Sequence, residues 1–102
     1  MSKKIYLQPQ EVWDFFVDKD DDYLYTIAEN LDNGVSIWVS YIENAGLYIE
    51  VYVNGEEDCY TYFYIFINNK EECISVISWM YNKYLDDDWV FPADEELDIF
   101  SN

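Results

Sequence analysis

The stretch CYTYFYIF, residues 59–66, sets Tyr60, Tyr62, Tyr64 and Phe66 on alternate positions. Side chains of a β-strand point to opposite faces in turn, so those four rings share one face. The other parity, Cys59, Thr61, Phe63, Ile65 and Ile67, reads as a face packed on a core. The preceding run LYIEVYV, 47–53, repeats the division, with Leu47, Ile49, Val51 and Val53 on one side and Tyr48, Glu50 and Tyr52 on the other. Asn54-Gly55 between the runs tolerates the positive φ that a tight hairpin demands. Paired, the two runs predict a sheet with one aliphatic face and one tyrosine face.

Working outward, YLYTIAE (23–29) and VSIWVSYIE (35–43) are two more β-type runs, joined by DNG at 32–34 and followed by NAG at 44–46. Three successive hairpins predict a four-stranded antiparallel meander. Upstream, residues 8–19 predict a short helix, with Pro9 at its first position, Glu11 and Asp14 near its start, and a stripe of Val12, Trp13, Phe16 and Val17. Downstream, Asn69 as N-cap and Glu72 three residues later resemble a capping box, opening a helix to about Leu85. Ile74, Ile77, Tyr81, Tyr84 and Leu85 form its apolar stripe, which suits the aliphatic sheet face. The tail DDDWVFPADEELDIFSN mixes seven acids with Trp89, Val90, Phe91, Leu97, Ile99 and Phe100, and Pro92 suits the start of a short helix over 93–100. The fold class is therefore α+β, in one domain spanning residues 1–102. A bare aromatic face invites aggregation, so the first helix or the tail is expected to cover part of it.

Composition separates a folded chain from a disordered one. Acids outnumber lysines 22 to 5, with no arginine and no histidine, and the net charge is −17. Such charge accompanies disorder only where apolar residues are few. Here 51% of residues are hydrophobic and 21% aromatic, enough to fold. MSKKIYLQPQEVWDFF has no uninterrupted apolar h-region, and no stretch approaches the roughly 20 apolar residues of a membrane span. Cys59 and Cys73 are too few for a disulfide framework, and the strand and helix that carry them set them too far apart to bridge. A reduced, cytoplasmic protein is expected.

Two chemical readings fail on their residues. Asp18, Asp20, Asp22 and Glu29 occupy positions 1, 3, 5 and 12 of a calcium-loop pattern, but Tyr23 stands where that loop needs glycine and no helix follows. The stretch reads as a solvated acidic loop, with no metal. Without histidine there is no imidazole base or metal ligand, and without arginine no guanidinium clamp; three scattered glycines form no phosphate loop. No enzyme activity and no cofactor are expected.

Nucleic acids and anionic membranes repel this chain, since binding them rests on lysine and arginine. The same charge attracts proteins that bind nucleic acid. A charge of −17 exceeds the magnitude of about 2–8 that solubility asks of a small domain. The candidate partner-binding acids are Asp20, Asp21 and Asp22, with Asp18 beside them; Glu56, Glu57 and Asp58; Asp86, Asp87 and Asp88; and Asp94, Glu95 and Glu96, with Glu71, Glu72 and Asp98 as further positions. The candidate aromatics are Tyr48, Tyr52, Tyr60, Tyr62 and Tyr64, because tyrosine is enriched at binding hot spots.

A short acidic chain ordered helix, β-meander, helix and acidic tail resembles the small phage-encoded anti-CRISPR proteins that inhibit type II Cas9. The stretch NNKEECISVISWMYNKYLDDDWVFPADEELDIF, 68–100, is similar in style to their acid-rich helical halves. The resemblance implies an inhibitor of the arginine-built cleft where Cas9 reads the protospacer-adjacent motif. The tyrosine sheet departs from that pattern and leaves room for another target. The charge equally suits an immunity protein that neutralises a nuclease toxin, and the tyrosine face suits a homo-oligomeric structural protein. The expected partner is a basic nucleic-acid-binding protein, Cas9-like or a toxin nuclease, met in the cytoplasm of the host if the chain is phage-encoded.

Overall fold

Each tight turn folds the chain back on the strand before it, and this gives the sheet its order. The structure, a computed structural model, describes residues 3–19, 23–42 and 46–89. Five strands, β1 (Lys3–Ile5), β2 (Tyr25–Asn30), β3 (Val35–Ile42), β4 (Gly46–Val53) and β5 (Asp58–Ile65), form one antiparallel sheet in the order β1-β2-β3-β4-β5. Helix α1 (Pro9–Phe16) lies between β1 and β2 in sequence, and α2 (Lys70–Tyr84) follows β5. The architecture is α+β. The sheet has five strands where the sequence predicts four.

The extra strand is β1, whose three residues are too short for any periodicity to show. Its partner makes it a strand: Lys3 lies opposite Asn30 and Ile5 opposite Ala28. The amides of Tyr6 and Leu7 then both donate to the Ile27 carbonyl, at 2.9 and 3.2 Å.

One face of the sheet packs on both helices. Ile37, Val39, Leu47, Ile49, Val51 and Val53 are buried against Val12 and Phe16 of α1 and against Cys73, Ile77 and Met80 of α2. Burying each of the larger side chains contributes about 1.5–3 kcal/mol, so this layer dominates the fold's stability. Helix α1 sits beside α2, with Lys70 Nζ 2.7 Å from Asp14 Oδ2. Both ends of that ion pair are exposed, so it adds little. The Tyr81 hydroxyl donates to the Leu7 carbonyl at 2.7 Å and ties α2 to the chain entering α1. The first helix therefore does not cover the tyrosine face; it is on the other side of the sheet. Tail residues 90–102 lie outside the described residues.

Helix α2 starts as expected, with Asn69 Oδ1 accepting from the Glu72 amide at 2.9 Å. The reciprocal bond comes from the Asn68 amide to Glu72 Oε2, 3.0 Å, one residue before the cap. The buried stripe is Cys73, Ile77, Met80, Tyr84 and Leu85, while Ile74 and Tyr81 flank it half-buried. Cys59 is exposed and Cys73 buried, both as free thiols. Among the described residues no helix is long and apolar enough to cross a membrane.

Two bulges alter the parity of the strands. Ile27 is an extra residue in β2, between the pairs Thr26–Trp38 and Ala28–Ile37, and both Ile27 and Ala28 are buried. Tyr60 is the extra residue in β5, between Val51–Thr61 and Tyr52–Cys59.

Candidate functional site

With both helices on one side, the opposite face of the sheet presents its own side chains. Across β3, β4 and β5 it is built in rows: Ser36, Tyr52 and Cys59; Trp38, Glu50 and Tyr62; Ser40, Tyr48 and Tyr64. The serines are small enough for large rings to close over them, and Ser36 and Ser40 are buried. Trp38 Nε1 donates to Ser36 Oγ at 2.9 Å and fixes the indole. Toward β5 the surface opens, with Tyr62 61% and Tyr64 63% exposed. Phe66, beyond the strand, is more exposed still.

Glu50 stands at the centre of this face. Tyr48 and Tyr52 flank it two residues away on the same strand, and Trp38 and Tyr62 flank it across the ladder. The Tyr48 hydroxyl donates to Glu50 Oε2 at 2.6 Å and the Tyr52 hydroxyl to Oε1 at 3.0 Å. Burial, and then these bonds to a carboxylate, raise both phenol pKa values. The rings hold one another as well. Tyr48 lies 4.7 Å from Tyr64 and 6.1 Å from Tyr62, and Trp38 meets Tyr52 edge-on at 6.0 Å.

One tyrosine predicted for this platform is not on it. The β5 bulge carries Tyr60 to the helix side, where its ring meets Trp89 at 5.5 Å and Tyr84 at 6.5 Å. The same bulge brings Cys59 onto the tyrosine face opposite Tyr52, although the plain alternation places it on the core face. Burial, with a contribution from Glu50, raises the Cys59 thiol pKa, so it is a poor nucleophile at neutral pH.

The acids gather at one end of the molecule. The Gly55 amide donates to the Gly34 carbonyl at 3.1 Å, joining the β4–β5 turn to the β2–β3 turn. Asn30 Nδ2 donates to the Leu85 carbonyl at 2.8 Å and to Asp87 Oδ1 at 2.7 Å. Asn33 Nδ2 reaches the carbonyls of Tyr84 and Asp86 at 3.0 and 3.1 Å. These bonds satisfy carbonyls that the end of α2 leaves without helical partners. They also bring Glu56, Glu57 and Asp58 to the same end as Asp86, Asp87 and Asp88, all exposed. Asp87 and Asp58 have structural work too, since Asn54 Nδ2 donates to Asp58 Oδ2 at 2.7 Å. Glu71 and Glu72 lie at the other end of α2, roughly 20 Å away. Asp20, Asp21, Asp22, Asp94, Glu95 and Glu96 lie outside the described residues.

Glu29, the last position of the calcium-loop pattern, is a strand residue opposite Lys4 that accepts from the Tyr6 hydroxyl at 2.8 Å. Among the described residues no group of carboxylates and thiols is arranged to hold a metal ion.

Trp38 and Glu50 on the tyrosine face, and Asp32, exposed in the β2–β3 turn at the acidic end, are the site residues that sequence reasoning missed. The alternation of Ser36, Trp38 and Ser40 against Val35, Ile37 and Val39 contains the first, once β3 is paired through its turn with β4. Chemically, the face across β3, β4 and β5 offers the Glu50 carboxylate, several phenols and an indole, with Glu29 of β2 beside Ser36, a set that suits recognition by hydrogen bonding and cation–π contact. Comparison with protein-family models, curated proteins and solved structures gives no match.

Proposed function

We propose that this protein is a non-enzymatic inhibitor that imitates the charge of DNA and occludes a nucleic-acid-binding protein, acting as a phage counter-defence factor of the anti-CRISPR kind. The observation that carries the reading is the union of Asp32, Glu56, Glu57, Asp58, Asp86, Asp87 and Asp88 at one end of the fold. Duplex DNA presents one charge per roughly 1.7 Å of axis, and a cluster of carboxylates offers a cationic cleft a field of the same sign. The chain's own lysines offset only part of it: Lys3, opposite Asn30, and Lys83, in the last turn of α2, lie near this end against seven acids. Lys70 pairs with Asp14, Lys19 lies over the rings of Phe15 and Tyr25, and Lys83 over those of Trp79 and Tyr84. Long-range attraction would speed encounter, and the aromatic face would slow release.

The test is capture from bacterial lysate at low and then moderate salt, with an unrelated protein of similar acidity as control. Recovery of one basic nucleic-acid-binding protein, competed by duplex DNA, supports the reading. Recovery of nothing beyond the control overturns it. An immunity protein for a nuclease toxin rests on the same charge, and recovery of a toxin nuclease would favour it. The open tyrosine face favours a homo-oligomeric structural protein as a second reading, which sedimentation over a range of concentrations tests.

A further inference from the structure

We propose that the open sheet face carries a socket for an arginine side chain of a partner protein, with the Glu50 carboxylate as its floor and Trp38, Tyr48, Tyr52 and Tyr62 as its walls. The argument starts from the carboxylate's unused valences. Two oxygens offer about four lone-pair directions. Tyr48 takes one on Oε2 and Tyr52 takes one on Oε1. That leaves one on each oxygen, which is what the paired N–H groups of a guanidinium require.

The walls fit the same guest. Trp38 and Tyr62 stand on either side of Glu50 across the ladder, and the two hydrogen-bonded tyrosines stand before and after it along β4. A guanidinium stacks on aromatic faces and is more weakly hydrated than an ammonium, so it suits a carboxylate set among rings better than lysine does. Among the described residues no lysine lies within ion-pair distance of Glu50. The chain contains no arginine, so a second copy cannot supply the guest either. A foreign cation is the complement, and the net charge of −17 draws it in. The inference rests on the reading above only for the kind of protein that brings the arginine, since proteins that bind nucleic acid present arginines to phosphates and base edges.

The socket is testable without the partner. N-acetyl-arginine amide is titrated into the full chain while the indole N–H resonances of Trp13, Trp38, Trp79 and Trp89 are followed by NMR. The uncharged citrulline analogue serves as control. The expected result is a saturable shift of the Trp38 resonance with a dissociation constant in roughly the millimolar range, absent with citrulline. Glu50→Gln, which keeps an acceptor for a tyrosine hydroxyl, is expected to abolish saturation. Tyr62→Ala, at an exposed wall with the fold intact, is expected to weaken binding several-fold. Glu57→Gln, at the acidic end, is expected to change nothing at Trp38. Equal shifts at all four indoles, equal shifts with citrulline, or no loss in Glu50→Gln would overturn the socket. Because the probe is a small molecule, failure of lysate capture leaves this result standing, and failure here leaves the charge-mimic reading to its own test.

Discussion

The buried side chain of Asn30 bonds to the Leu85 carbonyl at 2.8 Å across 55 residues of sequence, closing the sheet onto the end of α2. The second N–H of the same amide goes to Asp87, and its oxygen accepts from the Asp32 amide at 2.9 Å. Every polar valence of the amide nitrogen is used. Asn30→Ala is expected to cost about 2–3 kcal/mol, read from the urea midpoint, because it strands a buried carbonyl and frees a carboxylate. Asn30→Asp should be at least as damaging at neutral pH, since it turns a second carboxylate toward Asp87. A change below about 0.5 kcal/mol in both would mean that the hairpin and the helix are held by something else.

The two turns around β4 should respond differently to the same substitution. Gly46 has φ +106°, and a Cβ there would collide with the backbone carbonyl of Ile65. Gly55 has φ +67° with nothing within 4 Å of the added atom. Gly55→Ala is expected to cost about 1–2 kcal/mol, the strain of a left-handed alanine. Gly46→Ala is expected to cost clearly more, because β4 and β5 must separate. Equal denaturation midpoints for the two variants would refute the close approach.

Alkali should unfold this protein by an identifiable route. Burial pushes the Cys73 thiol up to about 11, from 9.0. Burial also raises the phenols of Tyr81 and Tyr84, and burial with the Glu50 bond raises those of Tyr48 and Tyr52. A raised folded-state value means that the native state keeps protons the unfolded state has lost, so stability falls as pH rises. The Cys73 contribution is intact below pH 9 and lost through pH 11. The tyrosine contributions begin to go near pH 10. Melting temperature measured from pH 8 upward, with tyrosinate absorbance followed in parallel, should fall and show cooperative ionisation at unfolding. A flat profile to pH 11 would contradict it.

Salt should act in the stabilising direction at neutral pH. A net charge of −17 on a small domain repels itself, and raising salt from 0.1 to 1 M shortens the screening length from about 10 to 3 Å. Sodium chloride is therefore expected to raise the melting temperature by a few degrees. A decrease would show that the few favourable pairs, such as Lys70–Asp14, outweigh the repulsion.

Much of the fold was legible because its signals are local. Period-two alternation gave β4, DNG and NG gave two reversals, and Asn69 with Glu72 gave the start of α2. What escaped depends on partners. The strand character of Lys3–Ile5 comes from Asn30 and Ala28, and nothing in KKI announces it. The position of Tyr60 depends on a one-residue shift in the register of β5 that alternation cannot see, and a slip by one reverses a face. The site was legible as a tyrosine surface. Alternation alone sets its centre, Glu50, between Tyr48 and Tyr52; that both hydroxyls donate to it, and that Trp38 and Tyr62 flank it, depends on side-chain geometry and on the register of β3 and β5.

The bulge at Tyr60 has a consequence for how such a chain can vary in length. Asp58, Cys59 and residues 61–65 keep register with β4, and the register shifts by one residue at Tyr60. Removing it would leave Cys59 opposite Tyr52 and Thr61 opposite Val51, as they are now. Relatives lacking that one residue would keep the same faces and give up only the ring against Tyr84 and Trp89. Loss of Phe63, three positions on, would instead turn one part of the strand inside out relative to the other. Length variation in β5 should therefore be confined to this point.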